Sequence, residues 1–246
     1  MAKVGYFRGD RAEVIVCQGS ALSYPRHNHV STLTLGLVLE GAVELVTDRG
    51  GKIYRENGLF ALPPYMPHSL NARAPYTLVS LCVSKEPAAS ERFQAAREAA
   101  ALLRRALGRP EAERELLEGL SALAERRAEK PDRGPLAELR TQLETEPELP
   151  CSLEDMAARA FMSKYHLVRA FRREVGLTPH QFQLQNRVRK GQRLLGGPAT
   201  VAEAAAAAGF CDQSHFDRQF KRLVGLTPAD YKRCFRTLGT PAGMGL

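Results

Sequence analysis

No apolar run in this 246-residue sequence approaches the ~18–20 residues that a helical membrane span requires. The opening residues, Met1-Ala2-Lys3-Val4-Gly5-Tyr6, lack the apolar core of a secretory signal, so a cytoplasmic protein with no membrane partner is expected. Cysteine is scarce and unpatterned. Cys17, Cys82, Cys151, Cys211 and Cys234 are odd in number and show no CxxC spacing. That argues against a disulfide framework or a zinc finger and suits a reducing compartment. There is also no nucleophile elbow, no phosphate-binding loop and no complete set of two histidines with a carboxylate. These absences count against enzyme classes that depend on such groups.

Charge is present, and it is unevenly spread. Residues 1–86 hold nine Lys/Arg and seven Asp/Glu, a net +2, and residues 87–150 hold eleven and thirteen, a net −2. Residues 151–246 hold fifteen and seven, so the whole net excess of +8 lies in the last third. A basic domain beside near-neutral ones is the electrostatic footprint of a polyanionic partner.

The chain changes texture twice. Val14–Cys17, Thr32–Leu39, Val43–Val46 and Tyr76–Val83 are short β-rich runs separated by turn signals such as Glu40-Gly41, Asp48-Arg49-Gly50-Gly51 and Asn57-Gly58. They predict an antiparallel barrel or sandwich over residues 1–86. Residues 87–135 carry two apolar stripes, Phe93-Ala96-Ala100-Leu103-Leu107 and Leu116-Leu120-Leu123, broken at Gly108-Arg109-Pro110. These predict a helical hairpin whose apolar surface either forms a homodimer interface or packs on the barrel of its own chain, followed by an exposed linker at Lys130–Pro135. Residues 136–246 read as an all-α domain.

That last domain repeats itself at an offset of 49: His166 matches His215, Arg169 matches Arg218 and Phe171 matches Phe220. Val175-Gly176-Leu177-Thr178-Pro179 recurs letter for letter as Val224-Gly225-Leu226-Thr227-Pro228. Phe161 likewise matches Phe210, while upstream the offset falls to 48, which assigns Gly209 as the one extra residue. Each copy reads as helix, tight turn, helix, with Ser152, Ser163, Thr200 and Asp212 at capping positions. Leu167 and Phe171, like Phe216 and Phe220, fall at i, i+4 on an inward stripe. Tyr165, Val168, Arg169 and Arg172, and in the second copy Ser214, Asp217, Arg218 and Lys221, point elsewhere. Between the copies, His180–Leu195 forms one helix bearing Arg187, Arg189, Lys190 and Arg193.

Residues 150–236 resemble the AraC/XylS class of bacterial regulators. The pattern Gly209-Phe210, Phe216-x-Arg218-x-Phe220-Lys221, Gly225-x-Thr227-Pro228-x-x-Tyr231 carries the resemblance, with Arg187-Val188-x-x-Gly191-x-x-Leu194-Leu195 in the joining helix. Gly191 stands where the family usually has Ala. It is expected to cost about 1 kcal/mol of helix stability and to loosen the coupling of the copies. The resemblance implies a double helix-turn-helix that reads double-stranded DNA, through Tyr165, Val168 and Arg169 in the first copy and Gln213, Ser214, Asp217 and Arg218 in the second. Arg172, Arg187, Arg189 and Lys221 are further contacts. It also implies transcriptional control, as an activator or a repressor, with RNA polymerase as a further partner.

In the front domain, His27-Asn28-His29 and Pro67-His68 resemble a cupin, where such histidines approach one another inside a β-barrel. Ser31-Thr32-Leu33-Thr34 supplies no glutamate to complete the usual metal set. Three readings stand: a divalent transition metal on the imidazoles, an organic effector held with Tyr24 and Tyr65, or barrel-mouth residues with no ligand. No cofactor follows with certainty. The expectation is a ligand-responsive transcription regulator with a cupin-like sensor barrel, not an enzyme. The rival is a cupin-type metal enzyme with an accessory helical domain, which leaves the basic duplicated region unexplained.

Overall fold

The computed structural model describes residues 3–8, 12–30, 32–84 and 134–237. The expected hairpin stripes, nearly all of the linker and any dimer interface between residues 87 and 133 lie outside them. The chain divides into two units: residues 1–128 with 234–246, and residues 129–233.

The first unit is built on strands. β1 (Lys3–Arg8), β2 (Ala12–Ser20), β9 (Tyr76–Ser84), β4 (Thr32–Glu40) and β7 (Leu59–Leu62) lie side by side in that order, each pair antiparallel. A second antiparallel sheet holds β3 (Tyr24–His27), β8 (His68–Asn71), β5 (Ala42–Thr47) and β6 (Gly50–Arg55), in that order. Side chains alternate across a strand, and the larger sheet is apolar on both faces. Val14, Val16, Leu35, Leu37, Val79 and Leu81 share one buried cluster. Cys17, Val38, Leu62, Tyr76 and Leu78 belong to another, which they form with Val43, Leu45 and Leu70 of the smaller sheet. The two sheets therefore face each other over a common core, as an antiparallel barrel requires.

A strand from the far end of the sequence completes the larger sheet. β10 (Phe235–Thr237) runs parallel to β1, with Tyr6 opposite Phe235. This differs from the expectation of a helical domain over residues 136–246: residues 234–237 belong to the β unit.

The second unit holds seven helices among the described residues: α1 (Pro135–Thr145), α2 (Leu153–Arg159), α3 (Lys164–Val175), α4 (Pro179–Leu195), α5 (Val201–Ala207), α6 (Gln213–Val224) and α7 (Pro228–Cys234). Their starts follow from local chemistry. Ser152, Ser163, Thr178, Thr200 and Asp212 each accept a hydrogen bond from a first-turn N–H, which satisfies a donor that the helix leaves open. Gly176 and Gly225 end α3 and α6 in the left-handed conformation, φ 76° and 85°. None of these helices is long and apolar enough to cross a membrane.

α4 is the axis of the unit. Its Phe182, Val188 and Leu195 are fully buried, and Phe182 meets Phe171 of α3 edge to face at 5.6 Å. On the other side a Cβ added at Gly191 would stand 2.6 Å from the ring of Phe216 in α6. Gly191 therefore does the reverse of what the sequence suggested. The missing methyl admits a fully buried aromatic ring from the second copy and tightens the joint.

Candidate functional site

The two second helices of the repeat, α3 and α6, share one design. Each buries an apolar stripe, Leu167, Ala170, Phe171 and Val175 in α3 and Phe216, Phe220 and Val224 in α6. Each leaves a polar, mostly basic face outside. On α3 the exposed residues include Tyr165, Arg169 and Arg172, and on α6 Gln213, Ser214, Arg218 and Lys221. Tyr165 is 72% exposed. Arg169 donates to its hydroxyl at 3.4 Å, and the guanidinium lies 5.4 Å from the ring centre. The pair is thus partly ordered in advance, which lowers the entropy lost when it meets a ligand.

Other candidate readers sit less openly. Val168 and Asp217 are half-buried, and one Asp217 carboxylate oxygen is enclosed without a hydrogen bond among the described residues. Arg189 is half-buried, with one N–H directed to Asn186 Oδ1 at 3.3 Å. Arg187 turns inward. Its Nε donates to the Pro147 carbonyl at 2.7 Å, and its Nη2 lies 3.5 Å from the carbonyls of Glu148 and Leu149. Gln183 donates to the Pro147 and Leu149 carbonyls as well, and Lys190 pairs with Glu148 at 2.6 Å. The Lys190 ammonium holds the Glu148 carboxyl below its ordinary range. These side chains clasp the segment between α1 and α2 onto α4, a place the sequence reading had not given to Arg187.

The turns before the two recognition helices correct the repeat alignment. Phe161 and Gly209 both occupy the left-handed region, φ 55° and 82°. Phe161 N–H donates to Ala158 and Met162 N–H to Ala157; Gly209 N–H donates to Ala206 and Phe210 N–H to Ala205. The backbones therefore superpose Phe161 on Gly209 and Met162 on Phe210. The extra residue of the second copy is Cys211, between Phe210 and the cap Asp212, and not Gly209.

In the β unit, three imidazoles converge. His27 at the end of β3 stands opposite His68 at the start of β8, and their ring centres are 4.3 Å apart. His29, two residues beyond the strand, lies 5.3 Å from His27 and 5.1 Å from His68. One ring nitrogen of each lies within 4.8 Å of the others. His27 Nδ1 is 2.7 Å from the Pro25 carbonyl, and His68 Nδ1 is 3.0 Å from that of Met66. His29 Nδ1 is 2.8 Å from Thr34 Oγ1 and 3.6 Å from Cys82 Sγ.

The two tyrosines divide. Tyr65 has φ 63°, and its backbone N–H donates to the His29 carbonyl at 2.8 Å, which places its backbone at the cluster. Tyr24 packs against the apolar core, with its hydroxyl 3.6 Å from Cys17 Sγ. Burial pushes the Tyr24 phenol far above its ordinary range and lifts the Cys17 thiol to about 11. Both stay neutral, as groups of an interior do. Thr34 and Cys82 are the neighbours that sequence reasoning missed; only the pairing of β4 with β9 sets them side by side.

Two family models match the chain: an AraC-like ligand binding domain over residues 15–143 and a helix-turn-helix domain over residues 156–233. No curated protein matches it. Among solved structures, ToxT from Vibrio cholerae O395 is similar over 95% of this chain and 97% of its own, at 12% identity and a TM-score of 0.58. Wild-type ToxT from Vibrio cholerae strain SCE256 with unsaturated fatty acid bound is similar over 91% and 95%, at 12% identity and a TM-score of 0.56. Both likenesses concern the fold. The DNA-binding domain of AdpA, solved with a target DNA, is 36% identical over 41% of this chain and 92% of its own, with a TM-score of 0.39. With the ligand-binding model alone spanning more than half of the sequence and the helix-turn-helix model covering both hairpins, the chain belongs to the AraC family of DNA-binding transcriptional regulators.

Proposed function

We propose that α3 and α6 read successive major-groove segments of double-stranded DNA, roughly 34 Å apart along one face of the duplex. Tyr165, Arg169 and Arg172 act from α3, and Gln213, Ser214, Arg218 and Lys221 from α6. Val168 and Asp217 contact bases at the margins, a thymine methyl suiting the former. Arg189 meets phosphate, and Arg187 holds the fold. The observation that carries this reading is the shared design of the two helices: a closed apolar stripe, a capped start and an open basic face, built twice on one axis. The 136–233 segment is then the DNA-binding part, the 87–135 segment links it to the sensor and supplies a homodimer contact, and RNA polymerase is a further partner. The protein works in the cytoplasm.

The β unit is the sensor, and its histidine cluster marks the effector site. ToxT carries an unsaturated fatty acid in one of its structures, so an organic acid is one class of effector to test here. Sensing, not turnover, is the role of this domain.

The test is a binding selection with randomised duplexes. Arg169→Ala and Arg218→Ala should each cost about 1–3 kcal/mol and relax preference at different base positions. Arg189→Ala should weaken all sequences alike. Unchanged preference in both recognition-helix variants would overturn the assignment of readers.

A further inference from the structure

We propose that His27, His29 and His68 bind a divalent late-transition-metal ion of the zinc class through their Nε2 atoms, and that this ion is the effector; the proposal rests on the reading of the β unit as the sensor.

The hydrogen bonds around the cluster fix the tautomer of two of the three rings. A backbone carbonyl only accepts, so His27 and His68 must donate from Nδ1 to Pro25 and Met66. The Thr34 hydroxyl directs its single hydrogen to Cys82 Sγ at 3.4 Å. His29 Nδ1 lies 2.8 Å from the same hydroxyl. A neutral imidazole that donates from Nδ1 carries its lone pair on Nε2. Three imidazoles, each oriented by an oxygen partner at Nδ1, form the arrangement that surrounds metal-ligating histidines.

Spacing and donor type name the ion. Zinc–imidazole bonds of about 2.0–2.1 Å set ligand nitrogens roughly 3.3 Å apart in a tetrahedral site. One nitrogen of each ring already lies within 4.8 Å of those of the other two, a spread that rotations within the side chains can close. The cluster contains three imidazoles and no carboxylate among the described residues. That disfavours Mg²⁺ and Ca²⁺, which take oxygen ligands, and the iron sites that need a carboxylate; it suits Zn²⁺, Ni²⁺ or Cu²⁺.

The backbone shows what the ion would fasten. The ligands come from two segments, one following β3 and one leading into β8. These are joined by the pairing of His27 with His68 and by the Tyr65 N–H on the His29 carbonyl. An ion bound by all three histidines adds a third tie between them. It thereby stiffens one end of the barrel without any organic ligand.

The experiment uses the full chain, stripped with chelator and titrated calorimetrically with zinc chloride alone, with Co²⁺ absorption as the optical readout. One ion per chain is expected, with visible ligand-field bands and a raised Tm. In His27→Ala/His29→Ala the affinity should fall by at least about 100-fold, while His180→Ala/His215→Ala binds as wild type. His27→Gln/His29→Gln, checked by circular dichroism, replaces the alanine pair if that pair does not fold. The same proteins are then assayed on a duplex recovered by selection with the wild-type chain. A zinc-dependent change in DNA affinity that the double variant lacks supports the proposal. Absent zinc binding, or binding that the double variant retains, overturns the metal site and leaves the sensor reading standing. Zinc bound by the histidines with identical DNA affinity overturns its role as effector. Failure of every form to bind DNA counts instead against the regulator reading.

Discussion

The two helix-turn-helix copies have nearly the same backbone and different interiors. In the first, the left-handed turn residue is Phe161, 89% exposed, and the residue after it is Met162. In the second, the turn residue is Gly209, and Phe210 after it is buried. Phe210 leads an aromatic chain: Phe216 at 5.0 Å, then Phe220 at 5.3 Å from Phe216, then Tyr231 at 5.4 Å from Phe220. Among the described residues the first copy has one such contact, between Phe171 and Phe182. A bulky residue with positive φ is strained, so the first copy holds a strained, exposed aromatic where the second has a relaxed glycine. The letter match between Phe161 and Phe210 pairs residues with opposite jobs, and the hydrogen-bond frame is the surer guide to equivalence.

The largest expected effect sharpens that contrast. Phe210→Ala should lower stability by about 3–4 kcal/mol through the cavity it leaves, whereas Phe161→Ala should stay within about 0.5 kcal/mol. Urea unfolding followed by helical circular dichroism measures both. Equal losses would mean that Phe161 packs as Phe210 does.

The turn glycine should behave in the opposite way to its aromatic counterpart. Gly209→Ala meets φ 82° and would place a Cβ 2.6 Å from Glu148 Cα, so a loss of about 2–3 kcal/mol is expected. Phe161→Gly removes strain but frees the unfolded chain, for a net gain of about 0.5 kcal/mol. Matching signs in thermal melts of the two variants would break the equivalence of these turns.

Gly191→Ala tests the joint between the copies. Helix propensity favours Ala by about 1 kcal/mol, but the added methyl overlaps the Phe216 ring. Overpacking of that kind costs about 1–3 kcal/mol, so a net loss of about 1 kcal/mol is expected. A stabilised variant would show that the ring shifts freely.

The smallest effect concerns the first helix of each copy. Hydrogen bonds from the Ser152 hydroxyl and backbone hold the Asp155 carboxyl low, and those from the Thr200 backbone and hydroxyl do the same for Glu203. Groups with a depressed folded value stabilise above the ordinary carboxyl range and lose that contribution as pH falls through the depressed value. Asp155→Asn and Glu203→Gln should each flatten the acid limb of the stability profile slightly. Amide NMR titration should show α2 and α5 fraying at similar pH.

Much of this was legible in the sequence, for identifiable reasons. The caps Ser152, Ser163, Thr200 and Asp212 act locally, so their chemistry shows in the letters; α2, α3, α5 and α6 begin at the residues that follow them. β-rich runs of eight residues, Thr32–Leu39 and Tyr76–Val83, announced β4 and β9. β6 did not announce itself, because its residues are mostly exposed and it begins with two glycines. Nor did β10, which is three residues long and exists by pairing with β1. The convergence of His27, His29 and His68 was readable from HxH spacing, but their orientation was not. It depends on Thr34 and Cys82, adjacent in space and remote in the chain. At Gly191 a local rule of helix propensity gave way to a contact across the fold, and the hydrogen bonds of Arg187 to the segment before α2 are not visible in the letters.

The pairing of Tyr6 with Phe235 also has a kinetic side. A chain is made from its N-terminus and folds domain by domain as it emerges. β1 through β9 leave the ribosome before the helical unit, and β10 leaves after it. Until residues 235–237 have been made, β1 presents one row of unpaired N–H and C=O groups along the edge of a formed sheet. Such an edge recruits strands from neighbouring chains, and on a polysome the nearest neighbours are copies of the same protein. Closure by so distant a segment carries a large loop-entropy cost and forms late. The interval of greatest exposure to strand exchange is therefore set by the time needed to translate the DNA-binding half.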